Sequence, residues 1–171
     1  MKVGLTKVVV SDTSILIELL KLDLLESFFQ LKFSMATSIF VIEEVTDREQ
    51  TELIKRFIGE NVLLVNSPDE RQLALAVSLY HKNSKLSLTD CCVIELAQRI
   101  GATVLTGDQR MREESERNKI PCAGFLTIMQ QLVAENLLSK EQGVQKVEMH
   151  SANNKRAPKL ECLALVERWK D

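Results

Sequence analysis

The sequence is poor in several residue types, and each shortage excludes a class of protein. It has only two histidines among 171 residues, so a zinc site built from histidine and cysteine would lack ligands. Aromatic residues make up 5% of the chain, with six glycines and three prolines. This composition argues against disorder and favours one compact, helix-rich domain.

Long apolar runs and an excess of positive charge are also missing. No run approaches the roughly 20 residues of a membrane-spanning helix, and residues 1–6 lead into a predicted strand without a separate signal-like segment. The net charge of −2 and the pI near 5.8 give no overall attraction to nucleic acid or to anionic membranes. We therefore expect a soluble, cytoplasmic protein that holds any polyanion by local contacts.

The cysteines do not form a recognisable metal or disulfide pattern. Two of them are adjacent on a predicted helix, and no pair has the C-x-x-C spacing. Reduced and mostly buried thiols are the expected state. The four positions are Cys91, Cys92, Cys122 and Cys162.

Two stretches of the chain share one pattern, in which a short β-branched run is followed by an aspartate. The sequence VVVSDTS at residues 8–14 contains Asp12, and VLTGDQR at residues 104–110 contains Asp108. Each pattern predicts a buried parallel strand that leads into a helix. Ligands of open α/β sheets bind at such strand ends. Neighbouring carboxylates there repel one another unless a cation or proton intervenes, so the pattern predicts a metal site with oxygen ligands.

Alternating strand and helix patterns continue along the chain and define the expected fold. Further short strands are predicted at residues 32–36, 62–65 and 121–124, each followed by a helical pattern. This alternation predicts a three-layer α/β/α sandwich around a mostly parallel central sheet. We expect an α/β domain at residues 1–138 and a helical C-terminal extension at residues 139–171, packed on or tethered to it. Residues 153–159 read as a polar, basic connector.

Each candidate acid also has a structural explanation. An aspartate at a strand end is equally suited to capping the next helix, which applies to Asp12 and Asp108. The sequence SLTD at residues 87–90 matches a capping box, which favours a capping role for Asp90. Glu43 and Glu44 follow an apolar helical run, where a solvated helix edge is the simple explanation. Periodicity does not separate these two glutamates.

The order of the acidic motifs resembles that of the PIN-domain nucleases. The matching sequences are VVSDTS at residues 9–14, IEEV at 42–45, LTDCCVIELA at 88–97 and ATVLTGD at 102–108. The likeness covers roughly residues 7–137. It implies that Asp12, Glu44, Asp90 and Asp108 bind the metal and carry catalysis. Glu44 is preferred to Glu43 because the family's acid usually precedes an aliphatic residue, here Val45.

The resemblance implies an Mg²⁺- or Mn²⁺-dependent ribonuclease, similar to VapC-type toxins or to related stand-alone PIN proteins. The implied partners are single-stranded or structured RNA, a cognate antitoxin protein and a second copy of the chain. A homodimer contact is expected around residues 22–29, unless this apolar region is buried in the chain's own core. Ser14 and Thr106 are candidate orienting hydroxyls, although backbone capping is the favoured role for both.

Local positive charge provides the candidate RNA contacts. Arg110 and Arg112 follow Asp108, while Lys155, Arg156 and Lys159 lie in the basic connector. Two alternative functions remain. A PIN-like fold without catalysis would serve as a protein-binding module. A phosphohydrolase or receiver-like domain would need a lysine at a later strand end, where this chain has Asn66-Ser67 and Thr106-Gly107-Asp108 instead.

Overall fold

The short β-branched runs form the central sheet of the computed structural model, which describes residues 8–170. The part of the sequence expected to precede the first strand, residues 1–6, lies outside this range. Within the described range the five strands are all parallel, in the order β3-β2-β1-β4-β5. They are β1 (Val8–Ser11), β2 (Ser34–Ser38), β3 (Leu63–Asn66), β4 (Thr103–Leu105) and β5 (Cys122–Ala123).

Helices connect the strands and cover the sheet, which confirms the predicted α/β/α sandwich. Because parallel strands need crossovers, every strand leads into a helix before the next strand begins. The helices before β4 are α1 (Thr13–Lys21), α2 (Leu25–Phe29), α3 (Ile39–Glu43), α4 (Arg48–Gly59), α5 (Glu70–Lys82) and α6 (Leu88–Ile100). Those after β4 are α7 (Gln109–Arg117), α8 (Phe125–Ala134), α9 (Lys140–Asn153) and α10 (Lys159–Lys170).

The second strand lies two residues later than the sequence pattern predicts. Backbone pairing with β3 runs from Met35 to Ser38, and the Thr37 hydroxyl donates to the backbone oxygen of Ser11 at 2.8 Å. Tertiary pairing therefore decides these bounds. Ser38 then caps α3 by accepting the backbone N–H of Phe40. This connection brings the end of α3 towards the carboxyl ends of the strands.

The apolar region after α1 belongs to the core of the chain. Leu22, Leu24, Leu25 and Phe28 are each less than 5% exposed. Phe29 is half-buried and packs against Phe57. Burial within the chain is thus the correct interpretation of these residues. Of the cysteines, Cys91, Cys92 and Cys162 are buried, and Cys122 is half-buried.

Helix α9 packs onto the helix that follows β1, and α10 packs against α9. Lys146 of α9 donates to the backbone oxygen of Leu22 at 2.7 Å, and Nδ1 of His150 lies 2.5 Å from a carboxylate oxygen of Glu18. The predicted connector forms the loop between α9 and α10. These contacts place this loop beside the sheet edge where α1 begins. No helix within residues 8–170 is long and apolar enough to span a membrane.

Candidate functional site

Asp12 lies at the carboxyl end of β1, the middle strand of the sheet. It caps α1, with Oδ1 accepting the backbone N–H of Ile15 and the Ser14 hydroxyl, both at 2.8 Å. The Thr106 hydroxyl donates to Oδ2. The residue is only 3% exposed. A carboxylate is therefore held rigidly at the centre of the sheet edge where α/β proteins bind ligands.

Burial makes the ionised form of Asp12 costly. It raises the pKa of Asp12 from 3.8 to about 6, even though hydrogen bonds from Thr106, Ile15 and Ser14 act in the opposite direction. The negative charge of Asp90 raises the pKa of Asp12 further. A divalent cation would compensate both the burial and the repulsion. The chemistry of this carboxylate therefore fits a metal ligand.

Asp108 occupies the corresponding position after β4. Its backbone N–H donates to the Thr106 hydroxyl at 3.0 Å, so one side chain joins the two strand-end aspartates. Oδ1 caps α7 by accepting the backbone N–H groups of Arg110 and Met111. Oδ2 accepts from the guanidinium of Arg156 at 3.0 Å. Capping therefore uses one carboxylate oxygen, and an arginine contacts the other.

Asp90 is both a capping residue and a neighbour of Asp12. Its side chain accepts the backbone N–H of Ser87 at 2.9 Å, while the Ser87 hydroxyl accepts the backbone N–H of Asp90 at 3.0 Å. This reciprocal pair is the capping box at the start of α6. The negative charge of Asp90 also raises the pKa of Asp12. Asp90 therefore caps α6 and at the same time acts electrostatically on Asp12.

Glu44 is the glutamate that contacts the residue beside Asp12. It lies directly after α3, is exposed, and accepts a hydrogen bond from the Thr13 hydroxyl. Glu43 is the last residue of α3 and is also exposed. The contact to Thr13 brings the segment after α3 against the start of α1.

The four candidate acids do not converge on one point in the described residues. Within residues 8–170, no group of three or more His, Cys, Asp or Glu side chains is close enough together to hold a metal ion. Each candidate carboxylate instead accepts hydrogen bonds from protein donors. These donors come from Ser14 and Thr106 at Asp12, Thr13 at Glu44, Ser87 at Asp90, and Arg156 with the α7 backbone at Asp108.

The two candidate hydroxyl groups contact Asp12. Ser14 donates to both carboxylate oxygens and also accepts the backbone N–H of Gly107 at 3.2 Å. Thr106 is fully buried and donates to the same carboxylate. Backbone capping is the role that the sequence favours for both residues, and both hydroxyls also accept backbone N–H groups, Ser14 from Gly107 and Thr106 from Asp108.

A groove of about 700 Å³ opens beside Asp108. Its walls come from the start of α1, the start of α7, the β5–α8 connection and the α9–α10 loop. Three of the candidate RNA contacts, Arg110, Arg112 and Arg156, line it. Arg112 donates to the backbone oxygen of Thr106 at 3.4 Å, and Arg110 to that of Lys85 at 3.4 Å. Lys155 is exposed in the same loop as Arg156.

Two features of the groove were absent from the sequence interpretation. Arg156 pairs with Asp108, and His150 pairs with Glu18 while stacking on Phe125 at a centroid distance of 4.2 Å. His150 is 4% exposed. The helical spacing of Ser14 and Glu18 could have shown that Glu18 faces the same side of α1 as the site. No local sequence pattern identifies His150, 132 residues away, as the partner of Glu18.

The half-buried thiol of Cys122 also lines the groove. Burial raises the pKa of this thiol, although the charge of Arg112 opposes the shift. A raised pKa keeps the group protonated, and a protonated thiol is a poor nucleophile. The groove also presents the carboxylate of Asp108 and three guanidinium groups.

Comparison with known proteins agrees with the observed fold. A sequence model of the PIN domain matches residues 8–163, which includes all five described strands and the α9–α10 loop. A search of curated proteins finds no significant match. PIN domains have a nuclease-type fold and generally depend on divalent metal ions. With the match covering most of its length, the chain belongs to the PIN-domain family.

Proposed function

We propose that this protein is a metal-dependent endoribonuclease that hydrolyses RNA phosphodiester bonds. The observation that carries the proposal is the Asp12 carboxylate, which is buried at the end of the central strand and has a pKa raised to about 6. Asp90 adds a second negative charge nearby, and Thr106 connects Asp12 to Asp108. Carboxylates are the ligands that Mg²⁺ and Mn²⁺ prefer. Since no three of these side chains lie close together in the described residues, the proposal includes that a bound ion draws them together.

The proposed ligands are Asp12, Glu44, Asp90 and Asp108. Asp12 and Asp108 project from strand ends, and Ser14 and Thr106 orient the Asp12 carboxylate through their hydroxyls. A bound divalent ion would supply a water of lowered pKa and would neutralise charge on the phosphodiester. No protein nucleophile is needed, which agrees with the raised pKa of the Cys122 thiol.

Glu44 is proposed as a ligand in preference to Glu43. Glu44 accepts a hydrogen bond from the hydroxyl of Thr13, the residue that follows Asp12 in sequence, which supports this choice. Replacing each glutamate by glutamine tests it, because both residues are exposed and the substitution is the same. Glu44→Gln is expected to lower the rate of RNA cleavage about tenfold or more, and Glu43→Gln to leave it near that of the wild type.

The main test is cleavage of end-labelled RNA and single-stranded DNA of mixed sequence in the presence of Mn²⁺. The wild type is expected to cleave RNA, and addition of EDTA to stop cleavage. Asp12→Asn should lower the rate by roughly 100-fold or more because it removes a direct ligand. Circular dichroism spectra check that the variant is folded. Undiminished Mn²⁺-dependent cleavage by Asp12→Asn would overturn the proposal.

A role as the toxin of a toxin–antitoxin pair extends the proposal to partners. Cleavage of cellular RNA would then arrest growth unless a cognate antitoxin binds the enzyme, and the enzyme itself would act as a homodimer. Induced expression in a bacterial host tests the first point. Growth arrest by the wild type but not by Asp12→Asn supports the toxin role, and equal growth of both strains contradicts it.

A second candidate is a PIN-like protein-binding module without catalysis. It is favoured by the absence, among the described residues, of three acidic groups close enough to share a metal ion. Titration of the wild type with Mn²⁺ in a calorimeter distinguishes the two candidates. Binding that is lost in Asp12→Asn supports the nuclease, whereas no binding supports the module.

A further inference from the structure

The carboxylate of Asp108 divides its two oxygens between different partners. Oδ1 accepts backbone N–H groups of Arg110 and Met111 at 2.9 and 3.2 Å, which fixes the start of α7. Oδ2 accepts only from Arg156 among the hydrogen bonds of the described residues, at 3.0 Å. A cation at Asp108 that leaves the helix cap intact must use Oδ2. It must therefore share or replace the contact with the guanidinium.

The loop that carries Arg156 has a hydrogen-bonded backbone and an exposed arginine side chain. Asn154 accepts the backbone N–H of Arg156 on its side-chain oxygen at 2.9 Å, and that of Ala157 on its backbone oxygen at 3.0 Å. Ala157 is 8% exposed, whereas the Arg156 side chain is 74% exposed. The guanidinium can thus leave Asp108 while its backbone remains beside the site.

The groove that contains this guanidinium is suited to a phosphate group, which would be the second partner of Arg156. Arg110, Arg112 and Arg156 line the same space of about 700 Å³. A phosphodiester entering the groove brings a negative charge to these arginines. The planar, multidentate guanidinium group matches the geometry of phosphate oxygens.

We propose that Arg156 is a substrate-binding residue that shields Asp108 in the cation-free protein and contacts the RNA phosphate once a divalent cation is bound. The proposal rests on the proposed nuclease function. It assigns the α9–α10 loop to the site, although helices α8 and α9 separate this loop from β5 in sequence. Arg156 then serves two partners in succession, the carboxylate before cation binding and the phosphate afterwards.

The first half of the test is calorimetric titration of the full chain with Mn²⁺ in the absence of RNA. Arg156→Gln removes the competing positive charge, so the Kd for Mn²⁺ is expected to fall about two- to fivefold, as suits an exposed ion pair. Arg156→Lys keeps the charge and should remain near the wild type. Arg168→Gln, at an exposed position of α10 outside the groove, controls for the loss of one charge.

The second half measures binding of a labelled, single-stranded 20-nucleotide RNA of mixed sequence by fluorescence anisotropy. Ca²⁺ replaces Mn²⁺ so that the RNA stays intact. Arg156→Gln is expected to weaken binding about tenfold, Arg156→Lys to recover part of the loss, and Arg168→Gln to have little effect. The proposal requires both results. An unchanged Kd for Mn²⁺ or an unchanged RNA affinity in Arg156→Gln overturns it.

Failure of this proposal is distinguishable from failure of the nuclease function. A wild type that cleaves RNA, together with an Arg156→Gln variant that binds Mn²⁺ and RNA normally, overturns only the role of Arg156. A wild type that binds no Mn²⁺ overturns both.

Discussion

The hydroxyl of Thr106 joins two aspartates that lie 96 residues apart in sequence, Asp12 and Asp108. It donates to the carboxylate of Asp12 and accepts the backbone N–H of Asp108 at 3.0 Å. The arrangement is possible because β1 and β4 are neighbours, with Ser11 paired to Leu105. A buried hydroxyl thus sets the relative position of the two strand ends.

Replacement of Thr106 by valine is expected to destabilise the protein. Valine has a similar shape but cannot donate to the buried Asp12 carboxylate. Loss of a hydrogen bond to a charged group should lower the free energy of unfolding by about 1.5–3 kcal/mol at pH 7.5 in EDTA. Chemical denaturation measures the change. Thr106→Ser keeps the hydroxyl and is the control; equal stability of the two variants would show that the hydrogen bond contributes nothing.

Asp12→Asn is expected to stabilise the metal-free protein at neutral pH. Burial raises the pKa of Asp12 from 3.8 to about 6, so between these values the folded chain binds a proton that the unfolded chain does not. The free energy of unfolding therefore falls as the pH rises from about 4 to 6, and stays lower above pH 6. Asparagine has no charge to bury, so Asp12→Asn should raise the free energy of unfolding by up to about 3 kcal/mol at pH 7.5.

Urea denaturation in EDTA at several pH values tests the effect of Asp12→Asn. The variant should exceed the wild type in stability at pH 7.5 and lose this advantage near pH 4. Asp69→Asn makes the same chemical change at an exposed helix cap, where water solvates the carboxylate, so its stability should stay near that of the wild type. A destabilised Asp12→Asn variant at pH 7.5 would contradict the expected cost of burying this charge.

The strand ends were predictable because their signals are local. A β-branched run followed by aspartate and a helical pattern identifies β1 and β4 with Asp12 and Asp108, and the SLTD sequence correctly predicts the capping box of Asp90. The bounds of β2 were less accurate. They depend on pairing with β1 and β3, which a short sequence window does not contain.

The contacts around the site were beyond sequence patterns because they join distant segments. Thr13 contacts Glu44 across 31 residues, and Arg156 contacts Asp108 across 48. Such contacts depend on how complete helices pack against one another. Helical periodicity predicts which face of a helix is buried, but it does not identify the partner on that face. The family resemblance supplied the order of the acids and gave no information on Arg156.

Glu114 anchors α7 to neighbouring segments, and its loss is expected to be costly. The side chain, 7% exposed as a residue, accepts hydrogen bonds from Asn83, Asn118 and Arg117 at 2.7, 3.0 and 3.0 Å. Burial alone would raise the pKa of Glu114, but these donors outweigh it and lower the pKa below 4.5. The resulting stability is complete above pH 4.5 and is lost as the pH falls through the lower folded pKa.

Glu114→Gln should therefore lower the free energy of unfolding by about 1–2 kcal/mol at pH 7. The difference from the wild type should shrink as the pH falls below 4.5 and through the lowered pKa of Glu114. Glu113→Gln is the matched control, because Glu113 is exposed and accepts a hydrogen bond from the side chain of Gln109 at 3.2 Å. Urea denaturation at pH 7 and pH 3.5 measures both variants. A constant difference across this range would rule out the charge of Glu114 as its source.

Gly143→Ala is expected to loosen the packing of α9 against α8 and α10. A Cβ atom at Gly143 would lie 2.8 Å from Cγ2 of Val133 and 2.9 Å from Cζ3 of Trp169, closer than real Cβ contacts allow. The overpacking should lower the free energy of unfolding by about 1–3 kcal/mol. Gly59→Ala is the control, because a Cβ at Gly59 meets no atom within 4 Å, and alanine there should be neutral or stabilising by up to about 1 kcal/mol. Thermal and urea denaturation measure both variants.

Equal stability of the two alanine variants would show that α9 shifts to accommodate the methyl group. In that case the loop that carries Arg156 would be less firmly held beside Asp108 than the packing of α9 indicates.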